Sequence, residues 1–321
     1  MSNFELNEDL LENKYPGIIK LLLKDNTTKK NIIFATSNYV KYGKGFSKKD
    51  YILPKHLLNQ NKQIIKPRIF KNKIEQNKRI KDMAEVFTPS WVCNHQNNLI
   101  DYEFFNRKNV FNIESKTSWK KTKKVDFKNR DWKEYINQIR IEITCGEAPY
   151  LTSRYDVVSS FEIDPLNRIG LLDRKLRIVC ENVNDIEEYN YYSLLSLKKI
   201  YGYDFQGDNV YLARKNLLYT YIDFYVLKFG ILPTSNIVNE ACKIITWNIF
   251  QMDGLKYVIP YSCKKIKELR ISLFDDLEEH DTLCIGCKTG NIYKHNGIYA
   301  KIKDWKKNKS IRFVDALKDN K

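Results

Sequence analysis

The sequence predicts an α/β fold in which helices alternate with the strands of a doubly wound, mostly parallel sheet. Three stretches predict it: "IRIEITCGEAPYL", "YGYDFQGDNVYLARKNLL" and "NIVNEACKIITWNIFQMDGL". The first two begin with a short strand pattern that ends at an acidic residue, and the third is a helical pattern leading into a strand. Strands that alternate with helices are typical of a parallel sheet.

The first predicted strand is "IRIEIT". Ile139, Ile141 and Ile143 alternate with polar residues, which is the period of a strand. The turn "CGEAP" follows, and the pattern after it predicts a helix from Tyr150. Residues 161–185 are predicted to be irregular.

The later elements are predicted from spacing and end signals. "YNYYSLLSLKKI" predicts a helix, "YGYDF" a strand, and the next segment the clearest helix of the chain. Apolar residues recur there every three or four positions, and Gly230 follows the end. These residues are Val210, Ala213, Leu217, Tyr221 and Phe224.

Composition limits the class of protein. The 321 residues include 55 Lys and Arg against 39 Asp and Glu, a net charge of +16. This positive charge favours a polyanionic partner such as DNA. The alternative is that a Lys- and Asn-rich genome explains the excess of basic residues. No signal-peptide pattern and no apolar run of membrane-spanning length occurs. Seven scattered cysteines predict reduced thiols in a cytoplasmic protein.

Domain organisation is predicted from a change in composition near residue 80. Residues 1–80 form a basic N-terminal region, and residues 81–321 the α/β domain. Between residues 61 and 81 there are eight basic residues and one acidic residue. A solvated face is the favoured interpretation of this run, and a phosphate-tracking face is the alternative.

Acidic residues end three of the candidate strands. Glu142, Asp204 and Asp253 follow successive strands, and Gly146 lies in the first turn. Ligands of such sheets bind beyond the carboxyl ends of the strands. A glycine there admits backbone amides to a ligand, and carboxylates accept hydrogen bonds from ribose hydroxyls or an adenine amine. The pattern predicts a site for a nucleoside-bearing cofactor.

Taken together, these residues resemble the adenine-N6 DNA methyltransferases of restriction–modification systems, of the restriction endonuclease subunit M type. The resemblance covers about residues 80–320. "AEVFTPSWVCNHQNNLID" is similar to the motif that precedes the first strand, and "EITCGEAPYL" to the first cofactor motif. "IYGYDFQGDNVYLARKNLL" and "NIFQMDGL" are similar to the second and third.

The resemblance implies a Rossmann-like sheet that binds S-adenosylmethionine (AdoMet). By this resemblance, the first motif lies beside the methionine part of the cofactor, and the residues at the strand ends bind the nucleoside. Asp253 is then expected to contact the adenine ring. The implied cofactor-binding residues are Phe87, Thr88, Pro89, Glu142, Cys145, Gly146, Asp204 and Asp253. Thr88 is also the expected N-cap of the helix that begins at Pro89.

Two departures from the family pattern stand out. Ala148 and Pro149 occupy the position of a glycine-rich turn, and proline supplies no N–H donor. The Asn-Pro-Pro-Tyr tetrapeptide on which the methyl transfer depends is absent from the 321 residues, so no catalytic residue is assigned.

The chain is therefore expected to be a truncated or split methyltransferase that supplies the cofactor-binding half of a sheet incomplete at its C-terminal side. The first strand is expected to have a free edge, and a partner is expected to carry the missing half or to be a cognate restriction subunit. The alternative is a non-catalytic DNA-binding or assembly subunit of a restriction system. A nuclease is a third, less favoured interpretation.

Two further groups of residues are candidates. Cys263, Cys284, Cys287 and His295 could bind zinc, although the long spacing from Cys263 favours unligated thiols in a loop. The segment from Lys116 to Arg130 contains seven basic residues with Trp119 and Phe127. It is the candidate DNA contact, with an ordinary exposed loop as the equal alternative.

Overall fold

A computed structural model describes residues 7–59, 64–83, 85, 88–271 and 277–317, and it confirms the predicted α/β class. In these residues the α-helices are α1 Glu8–Lys14, α2 Ile18–Leu23, α3 Lys73–Met83, α4 Ser90–Phe105, α5 Trp132–Asn137, α6 Leu171–Asn182, α7 Ile186–Lys198, α8 Gly207–Phe229, α9 Ser235–Asn248, α10 Ile285–Thr289 and α11 Phe313–Ala316. The strands are β1 Asn112–Ser115, β2 Ser118–Lys121, β3 Arg140–Glu142, β4 Ile200–Asp204, β5 Ile249–Gln251, β6 Ile266–Ile271, β7 Leu277–Thr282, β8 Lys301–Asp304 and β9 Lys309–Arg312.

A three-stranded parallel sheet lies at the centre, in the order β3-β4-β5. Glu142 of β3 is paired with Gly202 of β4, and Gly202 with Ile249 of β5. The other strands form three separate antiparallel pairs, β1 with β2, β6 with β7, and β8 with β9. Because the three central strands are parallel, the segments that follow them leave the sheet at the same edge.

Helix α8 fills the space beside the sheet. Its apolar residues recur at three and four positions on a helix whose side chains are largely buried, among them Val210, Leu217 and Phe224. Gly230 ends it in the left-handed conformation (φ 70°), and its N–H donates to the Val226 carbonyl at 2.8 Å. The predicted helix and its glycine end are confirmed.

The N-terminal region packs into the same core as α8 and α9. Leu11, Ile18 and Ile52 are fully buried in the apolar cluster that contains Leu217. The Tyr15 hydroxyl donates to the Pro233 carbonyl at 3.1 Å. The predicted boundary at residue 80 stays a prediction, but the side chains on its N-terminal side contribute to this shared core.

Two element predictions are wrong. No α-helix begins at Tyr150, where the backbone forms turns, and the stretch predicted to be irregular contains α6. The sequence of α6 is rich in charged residues that the fold nevertheless buries. Lys175 donates to the carbonyls of Tyr135, Ile136 and Gln138 at 2.6–2.9 Å at the end of α5, and Arg174 pairs with Asp101. These partners satisfy the buried charges of α6, while its apolar residues Leu172, Leu176 and Val179, at helical spacing, are fully buried in the apolar clusters.

The two faces of the sheet differ in their cover. Helices pack on the face that carries Ile200 and Ile249, in the main core. On the other face, Tyr203 and Phe250 pack against Phe313 of α11. The same face of the β3 segment remains open, because Ile139, Ile141 and Ile143 are 62%, 45% and 65% exposed.

Within the residues that the structure describes, no helix combines the length and apolar character needed to cross a membrane. The seven cysteines all lie in these residues and form no disulfide.

Candidate functional site

The chain segments that follow the three parallel strands are hydrogen-bonded to one another. The N–H of Cys145, after β3, donates to the Tyr203 carbonyl at 2.8 Å. The N–H of Met252, after β5, donates to the Asp204 carbonyl at 3.0 Å. The carboxyl edge of the sheet is thus a single surface, as the order of motifs predicts.

The turn after β3 faces Asp204. The Gly146 N–H donates to Asp204 Oδ2 at 2.9 Å, and the Gln206 N–H to Asp204 Oδ1 at 2.8 Å. Thr144, Gly146 and Ala148 all have positive φ, at 47°, 53° and 64°. Ala148 therefore holds the left-handed conformation that a glycine adopts without strain, and strain of this kind is concentrated at functional sites.

Asp204 is buried with other acidic groups nearby. Burial raises the pKa of its carboxyl to about 6, the Gln206 and Gly146 N–H groups act in the opposite direction, and Asp208 and Glu85 raise it further. A carboxylate held in this way retains lone pairs for additional donors, since each oxygen accepts more than one hydrogen bond.

Glu142 lies at the end of β3. Its carboxylate accepts from the Leu151 N–H at 3.2 Å and from the Tyr150 N–H at 3.5 Å. Burial raises its pKa well above the usual range, the two N–H groups lower it, and repulsion from Asp204 raises it. Glu142 and Asp204 are therefore close enough to interact electrostatically. Cys145 beside them is a buried apolar contact whose thiol lies in the main core.

The residues of the first motif lie next to this turn. The Tyr150 hydroxyl is beside the side chains of Thr88 and Cys93, and Tyr150 contacts Glu142 as described above. Thr88 is not the N-cap of α4, because Pro89 occupies that position and Asp156 Oδ2 accepts from the Ser90 N–H at 2.6 Å. Asp156, which is distant in sequence, therefore accepts the hydrogen bond at the start of α4 that Thr88 was expected to accept. Phe87 lies outside the described residues.

An arginine from the N-terminal region closes one side of the edge, and sequence reasoning missed it. Arg79 is buried, donates to Asp208 Oδ2 at 2.7 Å and to Asn209 Oδ1 at 3.0 Å, and pairs with Glu85. Although burial acts to raise the pKa of Asp208, Arg79 holds it below the usual value. The solvated-face interpretation of residues 61–81 is wrong for Arg79. Its partners Asp208 and Asn209 are more than a hundred residues away, so no local signal reveals that Arg79 reaches the edge of the sheet.

Asp253 follows β5 at the same edge but turns its carboxylate toward its own turn. Its Oδ1 accepts from the Leu255 and Lys256 N–H groups at 3.1 and 3.2 Å, and its Oδ2 is 3.5 Å from Lys256 Nζ. The turn fits closely against the sheet at Gly254, where a Cβ would lie 2.9 Å from the Tyr203 ring. Asp253 directly follows Met252, whose N–H donates to the Asp204 carbonyl. The two carboxylates share no hydrogen bond.

The basic segment from Lys116 to Arg130 contains the turn between β1 and β2, the strand β2 and the loop after it. Its seven basic side chains are exposed. Its aromatic rings face inward, since Trp119 donates to the Asn167 carbonyl at 2.7 Å and Phe127 packs 5.4 Å from the Phe105 ring. This surface offers positive charge without the expected stacking rings.

The four candidate zinc residues are brought together. Their ligand atoms all lie within 4.8 Å of one another. His295 Nδ1 is 3.7 Å from Cys263 Sγ, 3.8 Å from Cys284 Sγ and 3.6 Å from Cys287 Sγ. Whether these thiols bind zinc or are unligated, as the favoured interpretation has it, stays a prediction, but their convergence with His295 gives the zinc alternative a geometric basis.

Comparison with known proteins gives no relative. No protein-family model, no curated protein and no solved structure matches the chain.

The residues at the carboxyl edge can bind a polar ligand. Glu142 and Asp204 supply carboxylate oxygens, and the turn between Thr144 and Ala148 brings the backbone close to them. Carboxylates in this position suit hydroxyl and amine donors of a nucleoside.

Proposed function

We propose that the chain is the AdoMet-binding part of a cytoplasmic, adenine-specific DNA methyltransferase of a restriction–modification system, built on a Rossmann-like sheet. The observation that carries the proposal is the Gly146 N–H donating to Asp204 at the carboxyl edge, beside Glu142. It joins the first and second motifs at the place where such folds bind nucleosides.

AdoMet suits this edge by charge. Its sulfonium and amino groups are cationic, and the buried carboxylate of Asp204 attracts cations more strongly than a carboxylate in water does. Asp204 would accept from the ribose hydroxyls, Glu142 from donors nearer the methionine part, and Asp253 from the adenine amine after its turn opens. Thr88 and Pro89, beside Tyr150, would border the methionine part. When bound, AdoMet would supply the methyl group for transfer to a flipped adenine.

The methyl transfer itself would depend on a partner chain. The sequence has no Asn-Pro-Pro-Tyr tetrapeptide, and in the described residues β3 is paired with β4 alone. A partner that carries the missing half of the sheet would add a strand beside β3, and the elements packed on that strand would cover Ile139, Ile141 and Ile143. Unpaired, apolar strand edges promote association.

Substitution of the open face tests this role of β3. We expect the wild-type chain to self-associate in light scattering and the Ile141→Lys/Ile143→Lys variant to remain monomeric. Ile74→Lys, which changes an isoleucine that is 81% exposed on α3, is the control and leaves association unchanged. A monomeric wild-type chain, indistinguishable from the double variant, contradicts the proposed strand partner.

Ligand discrimination tests the cofactor assignment. In equilibrium dialysis we expect the chain to bind AdoMet and S-adenosylhomocysteine, which share the nucleoside and the amino acid, and not to bind NAD, which lacks the amino acid. The absence of AdoMet binding, or equal binding of NAD, contradicts the assignment.

The exposed basic segment favours a second candidate function, a non-catalytic DNA-binding or assembly subunit. Phosphate contacts by lysines give sequence-independent binding that weakens steeply with salt. Replacing Lys120, Lys121, Lys123 and Lys124 by Gln is expected to weaken DNA binding and reduce its salt dependence. DNA binding without AdoMet binding favours this second function over the first.

A further inference from the structure

We propose that Cys263, Cys284, Cys287 and His295 bind one structural Zn²⁺ ion. The four residues come from three separate parts of the chain: the segment before β6, the start of α10, and the loop after α10. Their convergence on one point is the observation that carries the proposal. It is independent of the AdoMet proposal, because the residues lie outside the carboxyl edge.

The spacing of the ligand atoms fits a tetrahedral zinc ion. Zinc–sulfur bonds of about 2.3 Å and zinc–nitrogen bonds of about 2.0 Å place the sulfur and nitrogen ligands of a tetrahedron about 3.5 Å apart. The distances from His295 Nδ1 to the three sulfur atoms are 3.6–3.8 Å. Three thiolates and one imidazole nitrogen are a common ligand set of closed, structural zinc sites.

Two glycines make the convergence possible. A Cβ at Gly286 would lie 2.5 Å from the His295 backbone nitrogen and 2.7 Å from its ring. A Cβ at Gly297 would lie 3.0 Å from Cys263 Sγ. The backbone therefore approaches the ligands on two sides where any other residue would push them apart.

Backbone and amide hydrogen bonds also hold the ligand-bearing loops together. Asn296 accepts from the Lys264 N–H and donates to the Lys264 carbonyl, both at 3.0 Å, next to Cys263 and His295. The Gly286 N–H donates to the Lys294 carbonyl at 2.9 Å. The ligands are thus positioned by a framework outside their own side chains.

The segment 262–298 has no apolar core among its described side chains. The buried residues there are Cys284, Gly286 and His295, whereas Leu283, Ile285 and other large apolar side chains are about half exposed. Small units that bury little apolar surface are commonly stabilised by a metal. The ion would therefore act as the core of this segment.

The position of the ligands defines what the ion would hold. Cys263 precedes β6 and Cys284 follows β7, so both lie at the base of the β6–β7 hairpin. The ion would fix that hairpin to α10 and to the loop before β8. Because all four positions are filled by protein side chains, the site would be structural.

Metal analysis tests the proposal. We expect about one zinc per chain in protein purified without chelator, and a large loss of zinc in Cys263→Ala and His295→Ala. Cys180→Ala changes a cysteine of the same chain outside the cluster and is expected to keep the metal. A wild-type chain that contains no zinc, and takes up none from zinc chloride, contradicts the proposal.

Cobalt substitution keeps the test decisive if the alanine variants do not fold. Wild-type protein loaded with cobalt chloride is expected to show the visible absorption of tetrahedral, thiolate-bound cobalt. His295→Cys is expected to retain the metal and to strengthen the sulfur-to-cobalt absorption. An octahedral cobalt spectrum, or the same spectrum from His295→Cys as from the wild-type chain, contradicts the assigned ligands.

Discussion

The sheet with its helices and the segment 262–298 are stabilised in different ways. Around the sheet, apolar side chains from residues far apart in the chain, such as Leu11 and Leu217, form one continuous core. In the segment 262–298, the buried side chains that the structure describes are candidate metal ligands. Hydrophobic burial can therefore account for the first region, whereas the second would depend on the proposed zinc ion.

Removal of the metal by a chelator should affect the two regions differently, and it is expected to give the largest change of the substitutions and treatments described below. Because binding of a structural ion is coupled to the folding of its site, removal of the metal is expected to abolish hydrogen-exchange protection in residues 277–298. Protection of α8 and α9 is expected to persist. Hydrogen exchange measured by mass spectrometry, with and without chelator, checks this. Equal loss of protection in both regions would show that they do not differ as described.

Gly207→Ala should destabilise the region of the sheet and its helices. A Cβ at this position would lie 1.9 Å from the Ile33 carbonyl oxygen, and backbone cannot move aside as a side chain can. We expect a loss of about 3 kcal/mol in the free energy of unfolding, at the upper end for overpacking, measured by urea denaturation.

Gly254→Ala is the matched control for this substitution. Its Cβ would meet the Tyr203 ring, a side chain, at 2.9 Å. It is therefore expected to be less destabilising than Gly207→Ala, and the reverse order would contradict the packing described.

Asp204→Asn should change how stability depends on pH. The folded-state pKa of Asp204 is raised from 3.8 to about 6, so the folded chain retains a proton that the unfolded chain has lost between these values. The stabilisation is present below pH 4 and disappears as pH rises through 6. Relative to Asp204→Asn, the wild-type chain is expected to lose about 2–3 kcal/mol between pH 4 and 7.

Urea denaturation of both proteins at several pH values measures this difference. The pKa of Asp173 is also raised to about 6. Because Asp173 is present in both proteins, its contribution cancels in the difference between their stabilities. A constant difference across the range would contradict the raised pKa.

Ala148→Gly should give the smallest change. Relief of the left-handed conformation is worth about 1–2 kcal/mol, and loss of the buried methyl group offsets much of it. Ala213→Gly, at a buried alanine inside α8, lacks that relief and is expected to cost about 1 kcal/mol or more. Thermal denaturation of the two variants compares them. An equal loss in both would show that the turn at Ala148 carries no strain.

The sequence predicts those elements whose signals are local. The three- and four-residue repeat of α8 and the glycine at its end are both present as expected. Helix α6 also has a local signal, since Leu172, Leu176 and Val179 recur at helical spacing and are buried, although the stretch was predicted to be irregular. What the sequence does not show is the burial of Arg174 and Lys175, whose partners are Asp101 and the carbonyls at the end of α5. Periodicity cannot reveal a buried charge whose partner lies elsewhere.

The candidate sites show the same division. The carboxylates at strand ends could be predicted because parallel strands must end together, and the structure places Glu142 and Asp204 accordingly. Arg79 could not, since its contact with Asp208 depends on the path of the N-terminal region. The spacing of Cys263 from Cys284 gave no indication that the β6–β7 hairpin would return the chain to the same point.

Titration with AdoMet tests the central claim that the carboxyl edge binds a nucleoside, by comparison of the wild-type chain with Asp204→Ala. Hydrogen bonds to a charged group contribute about 1.5–3 kcal/mol, so Asp204→Ala is expected to weaken binding by about 10- to 100-fold. Glu103→Ala, which removes an exposed carboxylate of α4, is expected to leave affinity unchanged. If Asp204→Ala binds AdoMet as tightly as the wild-type chain, the carboxyl edge is not the cofactor site.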